Sequence, residues 1–134
     1  LKLVHSRQNE SSTLLCVGKS LGARNMVRAV VNRSKRVRYR RILLATVDPN
    51  WPLWWDWAPN LNHRTLMLKR GVDRAINVRF LSNSAHDQPG ACLRGSHPRI
   101  EAVIVNRPLF DTNHKDIVTR KEVRDALDEL IELA

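Results

Sequence analysis

One uninterrupted apolar segment, Ile42 to Val47, constrains the fold of this chain more than any other feature. It lies between a basic segment and the turn-forming residues Asp48, Pro49 and Asn50. A run without polar alternation is typical of a strand buried on both faces. Such a strand needs other elements packed above and below it, which predicts an α/β protein with this strand near the middle of the sheet.

A short strand and an amphipathic helix are predicted before this segment. Leu14 to Val17 form an apolar run that ends at Gly18, and Ser20 is expected to cap the helix that follows. Arg24 and Arg28 fall on the polar face of that helix. The apolar residues that recur at helical spacing on its other face are Ala23, Met26, Val27, Val30 and Val31.

The C-terminal part predicts two strands and a helix. Arg99 to Val105 alternate as a strand does, Asn106 to Pro108 are expected to turn, and a second short strand is expected at Leu109 to Asp111. Thr119 and Glu122 have the spacing of a capping box. The apolar stripe of the helix that follows comprises Val123, Ala126, Leu127, Leu130, Ile131 and Ala134.

The pattern weakens in the middle of the chain, where prolines and glycines interrupt it repeatedly. We therefore expect a single domain of residues 1–134 with an insertion at about 48–94. Within the insertion, Leu66 to Leu68 and Ile76 to Leu81 could pair as strands around Gly71.

Positive charge is concentrated at the N-terminal end. The chain has 23 Lys and Arg, 13 Asp and Glu and a formal net charge of +10. Residues 1–47 hold eleven of these cations and one of the acids, which leaves twelve of each sign in residues 48–134. A polyanion would neutralise such a segment, and nucleic acid is the obvious candidate. The predicted RNA-binding residues are Lys19, Arg24, Arg28, Arg33, Lys35, Arg36, Arg38, Arg40 and Arg41.

Small residues cluster where the first helix begins. Gly18, Ser20 and Gly22 allow the helix start to pass close to the strand, and its N–H groups beside Lys19 either contact a phosphate or form a plain turn. The Gly-Lys-Ser string does not predict a nucleotide-binding loop, because Thr13 stands where that motif needs glycine.

The remaining residues show no catalytic or metal-binding pattern. Cys16 and Cys92 lack a neighbouring thiol, which favours two free thiols over a disulfide and argues against thioredoxin-type redox chemistry. Cys92 and His97 form one pair without further zinc ligands. No apolar run approaches the roughly 18 residues of a membrane span. We expect no catalytic residue, no metal, no cofactor, no membrane insertion and no small-molecule substrate.

Four tryptophans crowd into the start of the expected insertion: Trp51, Trp54, Trp55 and Trp57. Four indoles are too many for one small loop to bury, so some are expected to dock on a neighbouring protein or to stack on unpaired bases. The alternative is that they pin the insertion onto its own sheet.

Two motifs resemble those of a known family. The first is a strand ending in Cys, a Gly/Ser turn and a G-x-R helix start, here Cys16 to Arg24. The second is a G-x-H-P-x-hydrophobic-x-A strand that leads to Asn, here Gly95 to Ala102 and Asn106. Both resemble the small thioredoxin-like proteins that include mitochondrial large-subunit ribosomal protein forty-three (formerly fifty-one), small-subunit protein twenty-five and the B8 accessory subunit of respiratory complex I. The large-subunit member is the nearest of these, although Arg107 departs from the glycine that the family usually has after the Asn.

This resemblance implies a thioredoxin-like fold, with a mixed sheet of about four strands, flanking helices and a long central insertion. It implies that His97 and Pro98 form a cis-proline turn, a trans turn being the alternative. It further implies a non-catalytic constituent of the mitochondrial ribosome, located in the matrix and bound to rRNA and neighbouring ribosomal proteins of the large subunit. The alternatives are a small-subunit ribosomal protein or a complex I subunit held by protein contacts alone.

Overall fold

The computed structural model describes residues 12–28, 39–49, 65–69, 72–81 and 90–134. Three helices lie within these ranges, α1 (Ser20–Met26), α2 (Pro98–Glu101) and α3 (Lys121–Leu133), and a 3-10 turn, Ile117–Thr119, precedes α3. None of these helices is long and apolar enough to cross a bilayer. The strands in the same ranges are β1 (Thr13–Lys19), β2 (Arg41–Val47), β3 (Thr65–Leu68), β4 (Arg74–Phe80), β5 (Cys92–Gly95) and β6 (Ile104–Leu109).

The strands form two sheets. Four of them make the main sheet in the order β1-β2-β4-β6, and β3 pairs with β5 in a second sheet of two strands. Every pairing in both sheets is parallel. The α/β class is therefore confirmed, but the expectation of a mixed main sheet is wrong, since its three pairings all run in one direction.

The continuous apolar run of β2 is buried as predicted, because layers cover both faces of the main sheet. Leu43 to Val47 are all buried. Leu44 faces a cluster that includes Val27, next to α1, and Leu68 and Leu93 from the second sheet. Leu43 and Ala45, its neighbours in sequence, point to the opposite face of the sheet. There they belong to a second cluster, which includes residues of α3: Leu43, Ala45, Val47, Ile76, Val78, Phe80, Val123, Ala126 and Leu130.

Residues 48–94, expected to form an insertion, contribute β3, β4 and β5. β4 pairs with β2 on one side and with β6 on the other, inside the main sheet. The predicted pairing of the β3 and β4 regions with each other is wrong, because β3 pairs with β5. The strands predicted at Leu66 to Leu68 and at Ile76 to Leu81 correspond to β3 and to most of β4. The interior position of β4 was not predicted, because Asn77 and Arg79 interrupt its apolar pattern although both are buried.

The order of elements after β5 also differs from the prediction. Pro98 begins one helical turn, where its missing N–H costs nothing, and β6 starts only at Ile104. The strand predicted at Arg99 to Val105 is therefore wrong. β6 continues through Pro108 because it lies at the edge of the sheet, so the predicted turn at 106–108 and the strand at 109–111 are also wrong. The peptide bond before Pro98 is trans, which contradicts the expected cis-proline turn.

Neither predicted helix cap forms. No side chain caps α1 or α3. The Thr119 hydroxyl donates instead to the carbonyl of Asp116 at 2.8 Å, inside the 3-10 turn. The predicted apolar stripe of α3 is buried at Val123, Ala126 and Leu130, whereas Ile131 is 57% exposed and Ala134 is exposed.

Candidate functional site

The first component of the site is a strained turn between β1 and α1. Ser20 has φ of 55°, a left-handed conformation that residues other than glycine rarely adopt. Strand and helix approach closely here, since a Cβ on Gly18 would lie 2.7 Å from the Cα of Ala23. A Cβ on Gly22 would meet nothing within 4 Å. The turn presents the half-buried Ser20 at the carboxyl edge of the main sheet.

The second component is a buried carboxylate at the same edge. Asp48 follows β2, has φ of 47° and is fully buried. Its Oδ1 accepts a hydrogen bond from the backbone N–H of Gly90 at 2.7 Å. A Cβ on Gly90 would lie 2.1 Å from that oxygen, so only glycine allows this contact. Oδ1 is therefore held by Gly90, and Oδ2 is the oxygen that can orient another side chain.

The third component, His114, lies in the loop after β6. Asn113 fixes this loop, because its Oδ1 accepts from the N–H of Asp116 and its Nδ2 donates to the Asp116 carboxylate, both at 2.8 Å. The fully buried Ile117 anchors the loop in the core. His114 Nδ1 contacts Asp48 Oδ2, and Nε2 lies 2.9 Å from the hydroxyl oxygen of Ser20.

These contacts connect the hydroxyl of Ser20, the imidazole of His114 and the buried carboxylate of Asp48 in one hydrogen-bonded series. A carboxylate that accepts from Nδ1–H leaves Nε2 unprotonated, so that Nε2 can accept the serine proton. The side chains come from the ends of β1, β2 and β6, which share one edge because the strands are parallel. Crevices outside the carboxyl ends of parallel strands are where α/β proteins bind ligands.

The predicted RNA-binding residues are spread over more than one part of the described structure. In the register of β1 and β2, Lys19 pairs with Val47 and Arg41 pairs with Thr13. The two cations therefore lie at opposite ends of these strands, roughly 20 Å apart. Arg41 donates to the carbonyl of Leu133, and Lys19 Nζ is 3.5 Å from the carbonyl of Lys115. Arg28 and Arg40 are exposed and Arg24 is half-buried. Arg33, Lys35, Arg36 and Arg38 lie outside the described residues.

Other predicted sites have separate locations. Trp51, Trp54, Trp55 and Trp57 lie outside the described residues. His97 and Pro98 are exposed at the start of α2. Cys16 is buried, which raises the pKa of its thiol to about 11, and Cys92 is half-buried in β5. In the part of the chain that the structure describes, no three His, Cys, Asp or Glu are grouped to hold a metal.

The sequence contained one signal for this site that was interpreted differently. Gly18 to Gly22 read Gly-Lys-Ser-Leu-Gly, a G-x-S-x-G pattern between a strand and a helix, and α/β-hydrolases have the same pattern at the turn that carries their nucleophile. The expectation from the sequence was a close helix start whose N–H groups contact a phosphate or form a plain turn. Asp48 and His114 gave no local signal, because they are 66 positions apart and only folding brings them together.

Comparisons with family models, with curated proteins and with solved structures find no match to this chain. The functional assignment therefore depends on the geometry of Ser20, Asp48 and His114.

Proposed function

We propose that this chain is a serine hydrolase that cleaves an ester or thioester, with Ser20 as the nucleophile, His114 as the general base and Asp48 as the residue that orients His114. The observation that supports it best is the 2.9 Å contact between Ser20 Oγ and His114 Nε2, with His114 Nδ1 on the Asp48 carboxylate. The chain order Ser, Asp, His is also that of α/β-hydrolases. This proposal differs from the sequence-based expectation of a non-catalytic chain, which took no account of contacts between distant residues.

The reaction follows from the protons that these groups can move. Ser20 Oγ attacks the carbonyl carbon while His114 Nε2 takes the hydroxyl proton. The oxyanion that forms lies next to the backbone N–H of Leu21, the position that serves as an oxyanion donor after a nucleophile at such a turn. His114 returns the proton to the leaving alcohol or thiol. Water then attacks the acyl group on Ser20, with the same imidazole as base.

Strain and burial in the site are consistent with this role. A left-handed serine between a strand and a helix is unfavourable by about 1–3 kcal/mol and persists where the surroundings impose it, often at active sites. Asp48 is fully buried, yet both of its oxygens have a donor, which meets the requirement for keeping a carboxylate inside a protein. Neither feature is required for a chain that serves only as a scaffold.

Covalent labelling with a fluorophosphonate tests the proposal. Ser20 Oγ attacks the phosphorus, fluoride leaves, and the intact protein gains the mass of the phosphonyl group at Ser20. We expect Ser20→Ala and His114→Ala to abolish labelling and to lower ester hydrolysis by about a thousandfold or more. Ser96→Ala changes another serine, exposed before α2, and serves as the matched control. Labelling at a different serine, or hydrolysis that survives Ser20→Ala, would refute the proposal.

A second candidate function is rRNA binding in the large subunit of the mitochondrial ribosome, with the thioredoxin-like family and the matrix location implied by the two sequence motifs. The observation that favours it is the concentration of eleven cations and one acid in residues 1–47. With about six phosphate contacts, affinity for RNA should fall roughly a thousandfold between 50 and 200 mM salt. A flat response to salt would argue against it, and so would co-sedimentation with complex I instead of ribosomes.

A further inference from the structure

A row of polar side chains crosses the main sheet inside its apolar interior. Thr46, Asn77 and Asn106 are register partners on the adjacent strands β2, β4 and β6. Thr46 and Asn77 are fully buried, and Asn106 is half-buried. Burying a hydroxyl or an amide is unfavourable unless its polar atoms have hydrogen-bond partners. The partners of this row therefore show which part of the molecule it holds in place.

The side-chain amide of Asn77 has one defined orientation. Its Oδ1 accepts a hydrogen bond from the hydroxyl of Thr46 at 2.8 Å. The nitrogen at the other end of the amide donates to the carbonyl of Ala91 and to Asn106 Oδ1, both at 2.9 Å. Asn77 thus connects the middle of the main sheet to the backbone that leads into β5.

Ala91 belongs to the two-residue segment that holds the Asp48 carboxylate. The N–H of Ala91 donates to the carbonyl of Pro49 at 2.6 Å, and the N–H of Gly90 donates to Asp48 Oδ1 at 2.7 Å. Because a Cβ on Gly90 would lie only 2.1 Å from that oxygen, the backbone of this segment is in direct contact with the carboxylate. A shift of residues 90 and 91 would therefore displace Asp48 or break its hydrogen bond.

We infer that Asn77 is a positioning residue of the proposed hydrolase, because its amide fixes residues 90 and 91, and these fix the carboxylate of Asp48 against His114. The inference rests on the proposed function, since it assigns Asn77 to the same site. Asn77 transfers no proton itself and acts only through Asp48, whose Oδ2 contacts His114 Nδ1. A misplacement of about 1 Å in a reacting group lowers the rate by about a hundredfold, so a buried support of this kind matters for catalysis.

Ester hydrolysis by variants of the full chain tests the inference. Asn77→Ala removes the donor to Ala91, and we expect kcat to fall by about a hundredfold with KM unchanged, because the reacting groups move while substrate contacts remain. Asn106→Ala is the matched control. It removes the other acceptor of Asn77 and the two hydrogen bonds to Leu93, but keeps the hydrogen bond to Ala91. We expect its kcat to stay close to that of the unmodified chain. Equal losses of kcat in the two variants, or an unchanged kcat in Asn77→Ala, would overturn the inference.

Thr46→Val provides a second variant, because a buried alanine at position 77 can also unfold the chain. Valine has nearly the shape of threonine, and the change removes only the donor to Asn77 Oδ1, which leaves the amide free to rotate away from Ala91. We expect kcat to fall by about three- to tenfold, the effect of one hydrogen bond, with KM unchanged. An unchanged kcat in Thr46→Val would overturn the inference.

Proton NMR gives a readout that does not depend on hydrolysis. A proton that an imidazole donates to a buried carboxylate resonates far downfield, and its loss in His114→Ala assigns it. We expect this resonance in the unmodified chain and in Asn106→Ala, and its loss in Asn77→Ala. Its retention in Asn77→Ala, or its absence from the unmodified chain, would overturn the inference.

Fluorophosphonate labelling of Ser20 separates the two proposals. If Ser20 is labelled while Asn77→Ala keeps its kcat and the downfield resonance, the inference fails and the proposed hydrolase stands. If Ser20 is not labelled, the hydrolase is refuted, and the NMR comparison still decides whether Asn77 holds Asp48 against His114.

Discussion

At the residue scale, Asp48 shows how a buried carboxylate can be both a structural and a chemical group. One oxygen closes the loop at Gly90 and the other contacts His114. Asp48→Asn keeps the size of the side chain and an oxygen for Gly90, but the amide nitrogen that then faces Nδ1 can only donate, which favours the His114 tautomer with its proton on Nε2. We expect ester hydrolysis to fall by about 10⁴-fold in kcat while the circular dichroism spectrum stays the same. A kcat within tenfold of the unmodified chain would mean that Asp48 only supports the loop.

Two glycines of the same turn should respond differently to one added methyl group. A Cβ on Gly18 would press on the backbone of Ala23 at 2.7 Å, whereas a Cβ on Gly22 would meet open space inside α1. We expect Gly18→Ala to lower the free energy of unfolding by about 1–3 kcal/mol. Gly22→Ala should raise it by about 0.5–1 kcal/mol, because alanine favours the helix. Urea denaturation measures both, and equal effects would contradict the close approach of β1 and α1.

At the element scale, α3 covers one face of the main sheet through a narrow set of side chains. Leu130 is fully buried against that sheet, while the next residue, Ile131, is 57% exposed. We expect Leu130→Ala to destabilise the protein by about 2–5 kcal/mol. Ile131→Ala, the matched control, should stay within about 0.5 kcal/mol. If urea denaturation shows similar losses of unfolding free energy for Leu130→Ala and Ile131→Ala, α3 packs on the sheet in another orientation.

An ion pair joins α3 to the main sheet and makes its docking depend on pH. Arg107 Nη2 donates to Glu129 Oε2 at 2.5 Å, and Arg74 lies 3.5 Å from Oε1. The hydrogen bond from Arg107 is the main reason why the pKa of Glu129 lies below its ordinary value of 4.5. The stability it contributes is present above pH 4.5 and is lost as the pH falls through the lowered value. We expect Glu129→Gln to weaken the acid dependence of the urea midpoint, and the exposed Glu132→Gln to leave it unchanged.

The elements could be predicted from sequence where burial and pattern agree. The run Ile42 to Val47 lies in β2 and the helical stripe lies in α3, where the pattern placed them. A strand was predicted over most of β4, but its place inside the main sheet was not, because Asn77 and Arg79 look like surface residues; the side-chain amide of Asn77 nevertheless donates to Asn106 Oδ1 and to the carbonyl of Ala91, both at 2.9 Å. β6 was concealed by Pro108, which is tolerated only because that strand lies at an edge. The proposed catalytic site depends on contacts between residues far apart in sequence, and only one of its three members lies in a local motif.

At the scale of the whole molecule, the two sheets and α3 form layers that depend on one another. The main sheet has a hydrophobic cluster on each face, and the described residues of both clusters come from distant parts of the chain. The proposed catalytic residues follow three different strands, so they are assembled only in the folded chain. We expect ester hydrolysis and circular dichroism to show the same urea midpoint. Activity lost at a clearly lower urea concentration would indicate that the site opens before the sheet does.

Cys16 provides a probe of the same cooperativity. It is 6% exposed in the cluster between the sheets, and burial raises the pKa of its thiol from 9.0 to about 11. As pH rises, Cys16 therefore loses its proton in the unfolded chain at a lower pH than in the folded chain. The contribution of the protonated thiol to the free energy of unfolding is fully present below pH 9.0 and falls as pH approaches 11. We expect Cys16→Ala to flatten this alkaline loss in urea denaturation.

In the folded chain, iodoacetamide should modify the half-buried Cys92 first, and Cys16 only at the rate at which the whole molecule unfolds, because the thiolate is the reactive form. Modification of Cys16 as fast as that of Cys92 would mean that the layers over β1 open without global unfolding.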